Sequence, residues 1–313
     1  MPLLQLPPEI LAHIFDELGS SFFHADLGRL TICRTWFEFA LPLLFKSVTL
    51  IPLTLRNLLS SGVMEEPLFQ RSLETLELEF AGFKSTPPLP LLFDGHFPWK
   101  DNISSDLAKL ATRAHQSRRL RTLRIRHWSY GVPEIPFNYY LSLPVLLDLL
   151  SLGNLSVLVL DLNGGPYGPR REEEQQLHIC TVIGALLSTL RVLHVRMHLI
   201  CPDALKAPGS NGSLHLHTAV VNMSLNFSPS GFIFNSHSKR CPSGEGNLLQ
   251  LKTDMQEQAE VLASRMSSPR IVRILTRDNP ACEMLSLDIL TGKTMVLRYD
   301  APWDAGGEFV EKD

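Results

Sequence analysis

The nine residues LSVLVLDLN at positions 155–163 carry the pattern that decides the fold of this chain. Because side chains alternate along a strand, Leu158 and Leu160 lie on one face. Leu155 is the apolar residue three positions before Leu158. This spacing, apolar-x-x-apolar-x-apolar, occurs seven times, with 28 to 62 residues between successive starts. Such a recurrence is typical of repeat proteins in which a strand and a helix form one unit. The blocks are Phe45-Val48-Leu50, Leu73-Leu76-Leu78, Leu120-Leu123-Ile125, Leu155-Leu158-Leu160, Leu190-Leu193-Val195, Val220-Met223-Leu225 and Cys282-Leu285-Leu287.

Segments between the blocks have helical character, notably residues 104–116, 172–187 and 254–266. The alternation of strand and helix predicts an α/β fold: a small N-terminal helical domain followed by an irregular leucine-rich-repeat-like solenoid, with parallel strands alternating with helices. Only the block at 155–163 ends in the asparagine of a full leucine-rich repeat, so an open parallel α/β sheet describes the pattern equally well. Proline-rich residues 87–98 and residues 228–246 are predicted loops.

In the first 45 residues the apolar positions follow a helical spacing rather than the block spacing of the rest of the chain. Pro7 and Pro8 suit the first turn of a helix, and apolar residues then recur at helical spacing up to Gly19, which is expected to end that helix. Asp26 is a good N-cap for a second helical stretch, which Pro42 is expected to break. We therefore expect a bundle of two or three helices.

Composition and charge exclude several classes of function. The net charge of -3 argues against a nucleic-acid partner. The first residues lack the basic region of a signal peptide, and the most apolar window, residues 141–162, is interrupted by Asp148, Gly153, Asn154 and Asp161, so no membrane segment is expected. We expect an intracellular protein, with nucleus and cytoplasm not distinguished.

Neither a metal, a cofactor nor a catalytic motif is predicted. The five cysteines are scattered and include no CxxC pair, which favours reduced thiols without a metal site. Gly292-Lys293-Thr294 lacks the glycine that a phosphate-binding loop requires at position 287, so it is expected to form a hairpin turn. The chain is not expected to be an enzyme, although a triad assembled in space would leave no motif in the sequence.

The N-terminal segment resembles the F-box family. The residues that carry the resemblance are Leu6-Pro7, Glu9-Ile10-Leu11, Ile14-Phe15, Leu18, Asp26-Leu27, Leu30, Ile32-Cys33, Trp36, Phe39-Ala40 and Leu44-Phe45. The remainder is similar to F-box proteins of filamentous fungi, including LDILTGKTMVLRYDAPWDAGGEF at 287–309. The resemblance implies an F-box at residues 1–45 and a substrate-recognition region at residues 46–313.

In that family the F-box binds the Skp adaptor of a Skp-cullin-F-box (SCF) ubiquitin ligase, and the remaining region binds the protein to be ubiquitinated. Three short helices cannot bury all of their apolar side chains among themselves, which agrees with a docking role. Trp36 is instead expected in the core. The candidate adaptor-binding residues are Leu6, Pro7, Ile10, Ile14, Leu27 and Leu30.

The outward positions of the strands are the candidate substrate face. Their charges alternate in sign from block to block, so strands in register would align Glu79, Arg126, Asp161 and Arg196 as a ladder of opposite charges. This ladder either holds the register or belongs to a surface that receives an unidentified protein substrate. Two alternatives stay open: an interaction scaffold without ligase coupling, and an enzyme without a recognisable motif. The candidate face comprises Glu77, Glu79, Arg124, Arg126, Asp161, His194 and Arg196, with Val159, Ser224 and Asn226 also expected to be exposed.

Overall fold

The computed structural model describes residues 6–81, 103–128, 141, 143–162, 179–209, 212–225, 237–241, 247–277, 283–298 and 301–309. The predicted loop at 87–98, most of that at 228–246, Asn163, Asn226 and the side chain of Trp128 lie outside the described residues. None of the described helices is long and apolar enough to cross a membrane.

A single large sheet organises the described part of the chain. It contains ten strands in the order β1-β2-β3-β4-β5-β7-β9-β10-β11-β12, and its neighbours from β1 to β9 are parallel while those from β9 to β12 are antiparallel. Strands β6 and β8 form a separate parallel pair. The strands are β1 Ser47–Leu50, β2 Thr75–Ala81, β3 Thr122–Trp128, β4 Val157–Leu162, β5 Val192–Met197, β6 Leu199–Ile200, β7 Thr218–Asn222, β8 Lys239–Arg240, β9 Ile271–Arg277, β10 Met284–Asp288, β11 Thr294–Leu297 and β12 Glu308–Phe309.

Helices connect the strands, as the alternation in the sequence predicts. Their apolar side chains form one large core with one face of the sheet, where Leu123, Leu158 and Leu193 occupy successive strands and are fully buried. The protein is therefore mixed α/β with a large, mostly parallel sheet. The helices are α1 Pro8–Ala25, α2 Arg34–Leu44, α3 Pro52–Ser60, α4 Pro67–Ser72, α5 Ile103–Ala114, α6 Leu143–Leu150, α7 Ile179–Leu186 and α8 Leu248–Arg265.

The N-terminal helices build a core of their own. Phe15, Phe23, Trp36 and Ala40 are among its buried members, and none of the sheet's core residues belongs to that cluster. Asp26 caps the 3-10 helix Leu27–Leu30 by accepting a hydrogen bond from Gly28 N, as expected for an N-cap.

One of the two expected helix ends is confirmed and the other is wrong. Gly19, with φ of 70°, is non-helical and ends the first helical segment of α1, and a second helical segment follows it up to Ala25. Pro42 lies inside α2 rather than ending it. The helix is only 11 residues long and ends at Leu44, two residues after the proline.

Blocks one to five form parallel strands as predicted, whereas the sixth block is out of register and the seventh forms an antiparallel strand. Leu193 pairs with Ala219, whereas the block Val220-Met223-Leu225 would align it with Met223. The next parallel strand is β9, which carries no complete block because Pro269 stands at its first apolar position. The block Cys282-Leu285-Leu287 overlaps β10, which is antiparallel to β9 and forms a hairpin with β11 through Gly292, as the Thr-Gly-Lys segment predicts.

Candidate functional site

The first candidate surface is formed by apolar side chains on the outside of the N-terminal helices. In α1, Leu11 and Phe15 are one turn apart and point into the helical core, while Ile10 and Ile14 follow a different line along the helix. Ile10 is 47% exposed and Ile14 is half-buried. The helix therefore has an apolar side that its own domain leaves uncovered.

The structure separates the six predicted adaptor-binding residues into two groups. Pro7, Ile10 and Leu27 are exposed, and Leu6 and Ile14 are half-buried. Leu30 is different: only 7% of it is exposed, because it packs in the helical core with Trp36. The expectation that Leu30 is available for docking is therefore corrected.

Two exposed apolar side chains were not among the predicted docking residues. Ile32 is 61% exposed in the link before α2, and Phe37 is 40% exposed in the first turn of α2. Both are large apolar residues next to predicted inward residues, Cys33 and Trp36. That placement is the sequence signal that could have identified them.

The helical domain is held by a cluster of aromatic rings. The ring of Phe15 lies 4.5 Å from that of Trp36 and 5.8 Å from that of Phe39, measured between centroids. The Trp36 indole N–H donates to the Arg29 carbonyl oxygen at 2.6 Å. The prediction that Trp36 belongs to the core is confirmed, since it is buried.

The second candidate surface is the face of the sheet opposite the large helical core, called here the outer face. It carries the residues at the predicted outward positions of β2 to β5. Register pairs Glu79 with Arg126, Arg126 with Asp161, and Asp161 with Arg196, so the predicted ladder is confirmed. Arg126 Nη1 lies 3.1 Å from Glu77 Oε1 and 3.4 Å from Glu79 Oε1.

The ladder is buried at the end closer to the C terminus. Asp161 and Arg196 form a bidentate ion pair with N–O distances of 2.6 and 2.7 Å, and both residues are buried. The Arg196 guanidinium lies 4.9 Å from the Trp303 ring centroid, so the turn after β11 covers this part of the outer face. The expectation that Asp161 and Arg196 are exposed is wrong, because the two side chains pair with each other and Trp303, more than 100 residues further along the chain, covers the Arg196 guanidinium.

The covering turn also lies over His194, which is half-buried. Its ring lies 6.1 Å from that of Trp303, and its Nε2 is 4.0 Å from Asp304 Oδ2. Burial lowers the pKa of His194, with Arg124 acting in the same direction and Asp304 opposing it. The turn therefore favours the neutral form of His194.

The outer face remains accessible over β2 and β3. Glu79 and Arg126 are each more than one-third exposed at the side chain, whereas Glu77 is 15% exposed. Arg124 is half-buried, and so is Val159. Ser224, also expected to be exposed, is buried, and its hydroxyl donates to Asn222 Oδ1 at 2.5 Å. A partner that binds this face would meet Glu79 and Arg126 first.

Three of the scattered cysteines converge in space. The sulfurs of Cys180, Cys201 and Cys241 all lie within 4.8 Å of one another, and those of Cys180 and Cys241 are 3.7 Å apart. Hydrogen bonds to Cys201 and Cys241, together with burial, raise the pKa of Cys180 well above its usual value. The hydrogen bond with Cys180 lowers the pKa of Cys241, but the bond with Cys201 and burial outweigh it and raise that pKa to about 12. The wide separation of the three cysteines in the sequence hid this cluster.

No protein-family model matches this chain, and no curated protein matches it.

Proposed function

We propose that this chain is a substrate-recruiting adaptor of an SCF ubiquitin ligase, which binds the Skp adaptor through the F-box at residues 1–45 and a target protein through the outer face of the leucine-rich region. The observation that carries the proposal is the exposed apolar side of a helical domain with its own core. Contiguous exposed apolar patches mark interaction sites, and Ile10, Leu27, Ile32 and Phe37 are proposed to belong to one such patch. The first three of these residues are among those that resemble an F-box.

The energy available from these side chains fits a protein interface. Ile10, Leu27, Ile32 and Phe37 are each at least 40% exposed. Burying a large apolar side chain fully contributes about 1.5 to 3 kcal/mol. Association costs about 4 to 15 kcal/mol, so several of these side chains must be buried together. The proposed work is recruitment, which raises the effective concentration of a target near the ligase.

The proposed docking is tested by co-elution of the purified full chain with the Skp adaptor. We expect the wild-type chain to co-elute and the Ile10→Asp/Leu27→Asp variant to lose binding at least 100-fold, because each aspartate would be buried without a partner. Both side chains are exposed in the free chain, so its circular dichroism should be unchanged.

Leu53→Asp is the matched control, because Leu53 is 64% exposed on α3, outside the helical domain. It should co-elute as the wild type does. A wild-type chain that fails to co-elute would favour an interaction scaffold without ligase coupling. Binding that survives the double substitution would show that these side chains are not the contact.

A further inference from the structure

The thiol cluster is built by three segments that are far apart in sequence. Cys180 stands in the first turn of α7, Cys201 immediately follows β6, and Cys241 immediately follows β8. The parallel register pairs Ile200 with Arg240, so the residues that follow them, Cys201 and Cys241, are neighbours. The backbone pairing therefore sets the positions of two of the three sulfurs.

A glycine brings the third sulfur into place. Gly184 lies one turn after Cys180 on α7, and a Cβ there would be 2.4 Å from the Asp203 carbonyl oxygen and 2.7 Å from that of Lys206. Only a residue without a side chain permits so close an approach. The helix α7 can therefore pack against the 3-10 helix Pro202–Leu205, which begins directly after Cys201.

The sulfur positions suit a tetrahedral metal ion. A zinc–sulfur bond is about 2.3 Å long, which separates two sulfurs of a tetrahedral site by about 3.8 Å. The sulfurs of Cys180 and Cys241 are 3.7 Å apart, and all three lie within 4.8 Å of one another. None of the three forms a disulfide. A contraction of at most about 1 Å would bring every sulfur into bonding range.

A fourth donor lies beside Cys201. Asp203 Oδ2 is 3.7 Å from Cys201 Sγ, and a carboxylate oxygen and a thiolate bound to one tetrahedral zinc are about 3.5 Å apart. Asp203 also lines an open cleft together with Thr181, Lys206 and Arg265. The cleft borders the proposed fourth ligand, and its two basic side chains offset negative charge there.

We propose that Cys180, Cys201 and Cys241 bind one zinc ion as thiolates, with the Asp203 carboxylate as the fourth ligand. The ion would tie α7, the segment after β6 and the segment after β8 to one point. None of these three segments is a strand of the ten-stranded sheet. This site is a structural staple and is independent of the proposed ligase function.

The proposal is tested on the full chain, reduced and stripped of metal with a chelator. Titration with Co²⁺, followed by displacement with Zn²⁺, should give one equivalent per chain and the strong thiolate-to-cobalt absorption of a tetrahedral site. X-ray absorption of the zinc form should show three sulfur ligands at about 2.3 Å. Zinc should raise the melting temperature of the wild-type chain by several degrees, because an ion that binds only the folded state stabilises it.

The substitutions Cys180→Ser, Cys201→Ser and Cys241→Ser should each weaken zinc binding at least 100-fold, and Asp203→Asn should do so about 10-fold. Cys33→Ser is the matched control, since Cys33 is an N-cap that accepts from Trp36 N, a role that serine fills well. Unchanged zinc binding in the Cys33→Ser variant would support the proposed zinc site. If the substitutions at the buried cysteines prevent folding, the number of sulfur ligands in the wild-type zinc form, measured by X-ray absorption, decides between the outcomes.

Failure of the wild-type chain to bind zinc would overturn the proposal, and so would zinc held by fewer than three sulfurs. Selective binding of copper(I) with no response to Asp203→Asn would overturn the zinc assignment. Tight zinc binding that persists in a folded Cys180→Ser variant would place the ion elsewhere.

Discussion

Trp36 is the residue on which the helical domain depends most. Its ring contacts Phe15, and its indole N–H is satisfied by a backbone carbonyl, so truncation would leave both a cavity and an unpaired acceptor. Trp36→Ala should destabilise this domain by about 3 to 5 kcal/mol. Urea denaturation followed by circular dichroism measures the change.

The neighbouring substitution Phe37→Ala serves as the control, because Phe37 is 40% exposed. Its cost should stay below about 1 kcal/mol, as for surface positions in general. Equal effects of the two substitutions would contradict the placement of Trp36 in the core.

The buried Asp161–Arg196 pair should be strongly coupled. Arg196→Met removes the bidentate partner of a buried carboxylate and should cost about 3 to 5 kcal/mol, whereas Asp161→Leu/Arg196→Met should recover much of that loss. A double-mutant cycle on the free energy of unfolding gives the coupling directly. The pair lies beneath Trp303, so salt should change the coupling little.

Glu79 and Arg126 provide a matched comparison on adjacent strands. They also form a cross-strand ion pair, but with a single contact of 3.4 Å, and both side chains are more than one-third exposed. The corresponding cycle with Glu79→Gln and Arg126→Gln should give about 0.2 to 1 kcal/mol. Similar coupling in the two pairs would show that burial is not what separates them.

The packing of α7 depends on a single close approach. Gly184→Ala would place a methyl group against two backbone carbonyl oxygens that belong to the 3-10 helix and its C-terminal end. Backbone atoms cannot move aside as a flexible side chain can, so we expect a loss of at least about 3 kcal/mol or a failure to fold. Thermal melting of the reduced chain without metal measures this effect.

Gly153→Ala is the control for that substitution. Nothing lies within 4 Å of a Cβ at Gly153, and its φ is not in the left-handed region. The melting temperature of this variant should stay within about 2 °C of the wild type. An equal loss in both variants would point to a general effect of replacing glycine.

The strands that the sequence predicts well are those with leucine-like side chains at every inward position. From β2 to β5 the blocks predict the register residue by residue, because a shift of one position would turn the whole apolar set outward. At β7 the inward positions are Ala219 and Val221, and the outward Val220 is equally apolar, so the pattern loses its contrast. Val220 is apolar because it packs with Leu275 and Leu297 in a small third core.

The sequence predicts the candidate surfaces only where the alternation of side chains along one strand decides which residues are exposed. Alternation along each strand identifies Glu79 and Arg126 as outward residues, and they remain accessible. It does not show that Trp303 returns from the C-terminal hairpin to cover Arg196, nor that β6 and β8 bring Cys201 beside Cys241. Both depend on contacts between segments about 40 to 110 residues apart, which no spacing rule describes.

The stability of the whole molecule should fall in mild acid. Burial lowers the pKa of His127 from 6.5 to about 4, against the opposing influence of Asp161, and His198 lowers it further. The unfolded chain therefore binds a proton that the folded chain does not between these two pH values. Stability is fully present above about pH 6.5 and is lost as the pH falls toward 4, by at most about 3 kcal/mol for this residue.

The pH dependence is checked by urea denaturation at intervals from pH 7.5 to 4.5. His127→Gln should flatten the slope below pH 6.5, and His215→Gln, at an exposed histidine, is the control that should leave it unchanged. A slope that is the same in all three chains would show that His127 is not its source. His194, whose pKa is also lowered, should contribute in the same direction.

The hairpin at the end of the sheet lowers the tendency of the protein to aggregate. Strand β9, IVRILTR, is seven residues long and mostly apolar, and an uncovered edge of that kind recruits strands from other molecules. Strand β10 pairs with β9, β11 pairs with β10, and the sheet ends at β12, which is two residues long and contains Glu308. At the other end, β1 has four residues. Within the described residues both edges are thus short, which protects so wide a sheet from edge-to-edge aggregation in a crowded solution.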